Sequence, residues 1–233
     1  MDRNGNIYTF MYAAVMVILV AAILASVAMA LKPLQTKNIE IEKMQDILSS
    51  VNIESTAANA AKLYEEKIRN QYVINSKGEI VEGADAFNVD LKKERAKPQA
   101  EQLLPVYECD TEKGLKYILP MRGTGLWGPI WGYVSIDSDM NTIYGATFDH
   151  QGETPGLGAE ISTKSFQSEF NGKKLFDQSG SLVSVTVKKS GQSAPAEHSV
   201  DGISGGTITS KGLEKMLLDD LNSYRDFLIS KKS

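Results

Sequence analysis

Leu115–Phe148, LKYILPMRGTGLWGPIWGYVSIDSDMNTIYGATF, decides the fold class. Three apolar runs, Leu115–Met121, Gly132–Ile136 and Thr142–Phe148, are rich in β-branched and aromatic residues and are separated by Gly-rich or polar breaks. Runs of this length between turn signals predict neighbouring antiparallel strands rather than helices. The pattern begins at Pro105, and Ser181–Lys188 (SLVSVTVK) reads as a further strand. After it, Ser210–Ser230 returns to helical spacing, with Leu213, Met216, Leu217, Leu221 and Tyr224 on one side. Residues 105–233 therefore read as an α+β domain with an antiparallel sheet, flanking helices and a C-terminal helix.

Upstream, Phe10–Leu31 is apolar except for Tyr12 and Ser26, and no charge falls between Arg3 and Lys32. At about 1.5 Å rise per residue, this stretch is long enough to cross a bilayer core of about 30 Å. The small-x-small triplet Ala28-Met29-Ala30 also fits signal cleavage. The apolar run exceeds the usual length of a signal h-region, which favours a retained transmembrane helix. Residues 1–36 are assigned to that segment. Residues 37–104 read as a helical lead-in and linker, with amphipathic helices expected over Asn38–Val51 and Ser55–Ile74 and a charged linker or a solvated face over Asp90–Gln102.

The balance of 25 Lys plus Arg against 29 Asp plus Glu gives a net charge of −4. That excludes nucleic-acid binding through a polybasic surface. Asp2 and Arg3 cancel, so the whole negative balance belongs to the part after Leu31. The single Cys109 precludes an internal disulfide, and no Cys/His cluster marks a metal centre. The lysines that follow the apolar segment (Lys32, Lys37, Lys43) weakly favour a cytoplasmic domain by the positive-inside rule.

Three loops carry the chemistry. Asp201–Ser210, DGISGGTITS, sets three glycines beside four hydroxyl side chains at the entry to the last helix, where backbone amides and a helix N-terminus favour an anion such as phosphate. Ser210 is the expected N-cap, with Glu214 in the early turns. Gly202-Ile-Ser-Gly-Gly206 imitates a hydrolase nucleophile elbow, but His150 and His198 both precede Ser204, so the required acid-then-His order is absent. Phe148–Gly158, FDHQGETPGLG, forms a polar loop, and Gly123–Gly132, GTGLWGPIWG, holds Trp127 and Trp131 on a Gly-rich segment suited to covering a flat ring.

Together these loops resemble the FMN-binding domain in the C subunit of the Na+-translocating NADH:quinone oxidoreductase (Na+-NQR), whose relative is the G subunit of the RNF complex. The Ser204–Thr207 run SGGT, with Asp201 three residues before it, looks like the flavinylation motif D-x-x-[ST]-G-A-T, with Gly206 in place of Ala. The single N-terminal helix, the HQGETPGLGAEI and LPMRGTGLWGPIWGYVSID segments, and NGKKLFD at Asn171–Asp177 extend the likeness over nearly the whole chain and favour the C subunit of Na+-NQR.

The resemblance implies an electron-transfer flavoprotein with FMN joined through its phosphate to Thr207. By the same likeness Asp201 supports the transfer, and Ser204, Gly205, Gly206 and Thr209 surround the phosphate. Glu153, Thr154, Gly156 and Leu157 line the flavin, and Leu126 and Trp127 cover it. It further implies a flavin transferase for maturation and a complex of the A–F subunits. The soluble domain would be periplasmic on a single-pass inner-membrane anchor, against the lysine count. Its electrons would pass between an iron–sulfur centre of the D and E subunits and the flavin of the B subunit. No catalytic residue and no metal ligand is assigned, and the chain has no complete activity alone. The alternatives are an RNF-type G subunit, or a bitopic structural or assembly protein without cofactor. The absence of an acidic residue in the apolar helix and of a basic leader argues against a pilin type.

Overall fold

The computed structural model describes residues 5–189 and 191–232 and divides into two units, 1–43 and 44–233. Helix α1 is Asn6–Ser50. Its part in the first unit exposes its apolar side chains, among them Phe10, Val17, Ile23 and Met29, and α1 is long and apolar enough to cross a membrane. Arg3, on which the charge count across this segment partly rests, lies outside the described residues.

The second unit is built on a six-stranded antiparallel sheet. Its strands are β1 (Ile68–Ile74), β2 (Ile80–Val81), β3 (Leu104–Thr111), β4 (Gly114–Thr124), β5 (Pro129–Asp137) and β6 (Ile143–His150), in the order β2-β1-β3-β4-β5-β6. The three runs of Leu115–Phe148 are thus neighbours, as short apolar runs between turn signals predict. The sheet is covered on both faces, which is why its central strands read as continuous apolar runs. On one face Leu119, Met121, Ile130, Val134 and Phe148 meet Leu213, Leu217, Leu221 and Phe227. The last four lie on α5 (Thr207–Ser223) and α6 (Arg225–Lys231). On the other face Tyr107, Ile118 and Tyr133 meet Ile47 and Leu48 from the end of α1, together with Tyr64 of α2 (Ala60–Lys67).

Two local expectations are corrected and one is narrowed. The helix expected over Ser55–Ile74 covers only Ala60–Lys67, and Ile68–Ile74 is strand β1. Its Val73 and Ile74 point into the two different cores, a period-two pattern, and pairing with β3 supplies the ladder that outweighs the helical spacing of the preceding residues.

Of its two readings, the stretch Asp90–Gln102 is a largely solvated face, not a loose linker. It folds as α3 (Leu91–Arg95), N-capped by the Asp90 side chain, and a 3-10 turn at Gln99–Glu101. Arg95 then reaches the buried Asp220 of α5, and Gln102 accepts a hydrogen bond from Ser223. Buried polar partners, invisible to a charge count, decide this segment.

Of Ser181–Lys188 only Thr186–Lys188 is a strand, β7, paired in parallel with β8 (Ser199–Asp201). Gly180 and Ser184 have φ of 80° and 60°, which breaks the extended run before it starts.

Candidate functional site

The three loops singled out from sequence converge around the N-terminus of α5. The helix begins at Thr207, not at Ser210: Gly206 is the N-cap residue and offers no side-chain cap. Gly205 has φ of 73°, which favours glycine at this turn, and a Cβ there would displace only the exposed end of the Leu157 side chain. With the N-cap at Gly206, four residues before Ser210, Ser210 lies within the first turns. Its hydroxyl accepts from the Ile203 amide at 3.2 Å, fixing the preceding loop instead of capping the helix. No N-cap side chain therefore covers the first amides of α5, an arrangement that favours an anion.

Thr207 is exposed and borders two cavities. The first, of about 220 Å³, is lined by Leu126, Glu153, Thr154, Leu157, Gly158 and residues 205–209. Its apolar members, Leu126, Leu157 and Ile208, are 48%, 41% and 59% exposed. Apolar side chains left this open at the rim of a cleft can shelter a flat, largely apolar group. The second cavity, of about 280 Å³, shares Gly205 and Thr207 with the first and is lined also by Lys188, Lys189, Lys211, Ser204 and Ser210, with residues 187, 202 and 203.

Glu153 holds this arrangement together. It is buried, yet its carboxylate accepts from the Trp127 backbone amide at 2.8 Å through Oε1 and from the Thr209 hydroxyl at 2.5 Å through Oε2. Its own amide donates to His150 Nδ1 at 3.1 Å. One carboxylate thus joins the β4–β5 loop, the loop after β6 and the first turn of α5. Gly125 and Gly158 pack so tightly against it that a side chain at either position would strike the carboxylate.

Of the expected site residues, Leu126, Glu153, Thr154, Leu157, Gly205, Gly206, Thr207 and Thr209 line the first cavity, and Ser204 lines only the second. Gly156 lines neither; its amide donates to Glu160 at 3.1 Å. Trp127 is tied to the site by its backbone, with a side chain 69% exposed. Trp131 instead sits within β5 and lines a separate cleft with residues 89–92. Asp201 lies beside the site rather than in it: it pairs with Lys188 at 3.1 Å across β7–β8, and its amide donates to Glu169.

Sequence reasoning missed Ile208, Gly158 and the lysines of the second cavity. Ile208 had a signal, as an apolar residue amid hydroxyls and glycines; the lysines had none, because only the folded path of the chain brings β7 beside the loop. Among the described residues no group of three or more His, Cys, Asp or Glu could hold a metal ion. Neither His150 nor His198 lines a cavity with Ser204.

The comparisons with known proteins agree with this geometry. Residues 125–222, from the β4–β5 loop to the end of α5, match the FMN-binding domain family. The chain is 37% identical over 210 residues to the C subunit of the Na(+)-translocating NADH-quinone reductase of Haemophilus ducreyi, covering 82% of this chain and 80% of that one. A crystal structure of the same subunit from Parabacteroides distasonis is 48% identical, with a TM-score of 0.79 over 85% of this chain and 96% of that one. A structure of Shewanella oneidensis NqrC, 23% identical with a TM-score of 0.72 over 84% of this chain and 99% of that one, shares the fold. The cleft of exposed apolar side chains beside uncapped amides fits a group with a flat ring and a phosphate, as FMN has. The chain belongs to the family formed by the C subunits of the Na(+)-translocating NADH-quinone reductase.

Proposed function

We propose that this chain is the membrane-anchored flavin carrier of a sodium-pumping NADH:quinone reductase, with FMN joined by a phosphoester between its phosphate and Thr207 Oγ1. One observation carries the reading. Thr207 is an exposed hydroxyl at the first residue of α5, between a cleft with apolar walls and a loop of backbone amides. Leu126, Leu157 and Ile208 would shelter the ring, and the amides at the start of α5 would stabilise the remaining phosphate charge. Glu153 holds the loops that make this cleft in register. Bound FMN supplies reversible electron uptake and release; the chain fixes its place and restricts water at the ring face. A tether through phosphate leaves the ring free and prevents loss of the cofactor by dissociation.

In this reading a flavin transferase attaches the cofactor. The chain accepts electrons from an iron–sulfur centre of the D and E subunits and passes them to the flavin of the B subunit. The α1 anchor holds the domain on the periplasmic side of the inner membrane. Co-expression with a flavin transferase tests the attachment. Intact mass should show one FMN-sized addition that disappears in Thr207→Ala, and an unmodified wild-type chain would refute the linkage. Fusion of a periplasm-dependent reporter to the C-terminus tests orientation, and signal only from a cytoplasm-dependent reporter would reverse it.

A further inference from the structure

The second cavity bordering Thr207 differs in chemistry from the one that would shelter the ring. Lys188 and Lys189 border it from the end of β7 and Lys211 from the first turns of α5, while Leu126, Leu157 and Ile208 are absent from its lining. Two of these cations already have carboxylate partners. Lys188 Nζ lies 3.1 Å from Asp201, and Lys211 Nζ lies 2.8 Å from Glu214, which also accepts from the Val187 amide at 2.6 Å. Lys189 is the exception: it is exposed, and among the described residues no carboxylate pairs with its ammonium. The loop is drawn against this strand by the Gly202 amide, which donates to the Lys188 carbonyl at 2.7 Å. A surface concavity with one unneutralised cation and two partly neutralised ones attracts an anion.

We infer that this lysine-bordered cavity receives the phosphate end of the flavin nucleotide where it meets Thr207, with Lys189 as its free cation. Thr207 then marks the division of the site: ring on the apolar side, phosphate on the basic side. The assignment rests on the reading of Thr207 as the FMN attachment point, but it concerns residues that the attachment motif does not contain. Lys189 would contribute by charge, Lys211 by a hydrogen bond shared with Glu214, and Lys188 by keeping Asp201 and the loop in position.

The test separates the phosphate from the ring. Full-length chain expressed without a flavin transferase is titrated in detergent with FMN and with riboflavin, which share the whole ring and differ in the phosphate, and binding is read from flavin fluorescence. FMN should bind roughly ten- to a hundredfold more tightly than riboflavin, the range expected for charge-assisted hydrogen bonds. Lys189→Gln should remove about tenfold of the FMN affinity, leave riboflavin binding unchanged, and be rescued by Lys189→Arg. The preference for FMN should also shrink as salt is raised. Equal affinity for the two flavins, no detectable binding of FMN, or a Lys189→Gln variant that keeps the full preference would each overturn the subsite. None of those results touches the mass addition at Thr207, so failure of the subsite is distinguishable from failure of the attachment.

Discussion

The hydroxyl of Thr209 donates to Glu153 Oε2 at 2.5 Å, joining the first turn of α5 to the loop that follows β6, 56 residues earlier in the chain. The other oxygen of the same buried carboxylate takes the Trp127 amide. Removing the carboxylate leaves the buried Thr209 hydroxyl and the part-buried Trp127 amide without acceptors. With charge-assisted hydrogen bonds worth about 1.5–3 kcal/mol each and not additive, Glu153→Ala should cost about 2–4 kcal/mol in urea unfolding. The β4–β5 loop should also loosen, so acrylamide should quench Trp127 more efficiently than in the wild-type chain. Unchanged stability and unchanged quenching would show that the loops hold their places without Glu153.

Gly206 stands where the attachment motif has Ala. Its φ of −100° and ψ of 32° are accessible to alanine, so no backbone strain forbids the change. An added Cβ would lie 3.0 Å from Ile203 Cγ2 and 3.3 Å from the Gly158 amide nitrogen, which requires a shift of a few tenths of an ångström. Gly206→Ala should therefore cost about 1 kcal/mol, the low end of overpacking, and should keep full FMN attachment by intact mass. Loss of attachment in this variant would mean that the glycine, not merely a small residue, is needed for access to Thr207.

The exposed apolar rim separates stability from cofactor shelter. Ile208 is more than half exposed, so Ile208→Ser should leave unfolding free energy within about 0.5 kcal/mol of the wild type. In flavin-loaded protein the same change should make flavin fluorescence more accessible to iodide. If quenching is unaltered, Ile208 does not cover the ring.

Much of this architecture is legible in the chain because it depends on local pattern. The apolar runs between turn signals in Leu115–Phe148 specify β4, β5 and β6, and the spacing of Leu213, Leu217 and Leu221 specifies α5. Local pattern fails where a distant partner decides. Ile68–Ile74 becomes a strand because β3 is available to pair with it, and Arg95 leaves solvent because Asp220 awaits it. The site follows the same rule: Thr207, Gly205 and Glu153 come from contiguous loops, whereas Lys189 reaches the second cavity only through the β7–β8 pairing. Ser210 has the chemistry of a cap but not its position, because the positive φ of Gly205, which starts the helix early, is not encoded by a glycine count.

Asp220 gives the fold a pH dependence of definite sign. It is buried beneath Arg95, and its Oδ2 accepts from the Arg122 amide at 2.9 Å. Burial pushes its pKa up to about 7, and the Arg95 guanidinium and the Arg122 amide pull against that rise without cancelling it. A carboxyl whose pKa is higher folded than unfolded binds its proton more tightly in the native state. Its stabilising contribution is complete below the unfolded value of about 4 and is lost as pH rises toward 7. Asp220→Asn, which resembles the protonated acid at every pH, lacks this loss. The stability of the wild type relative to Asp220→Asn should therefore fall between about pH 4.5 and about pH 7.5 in parallel urea titrations. A difference that stays constant across that range would mean Asp220 is ionised throughout, with Arg95 fully offsetting its burial.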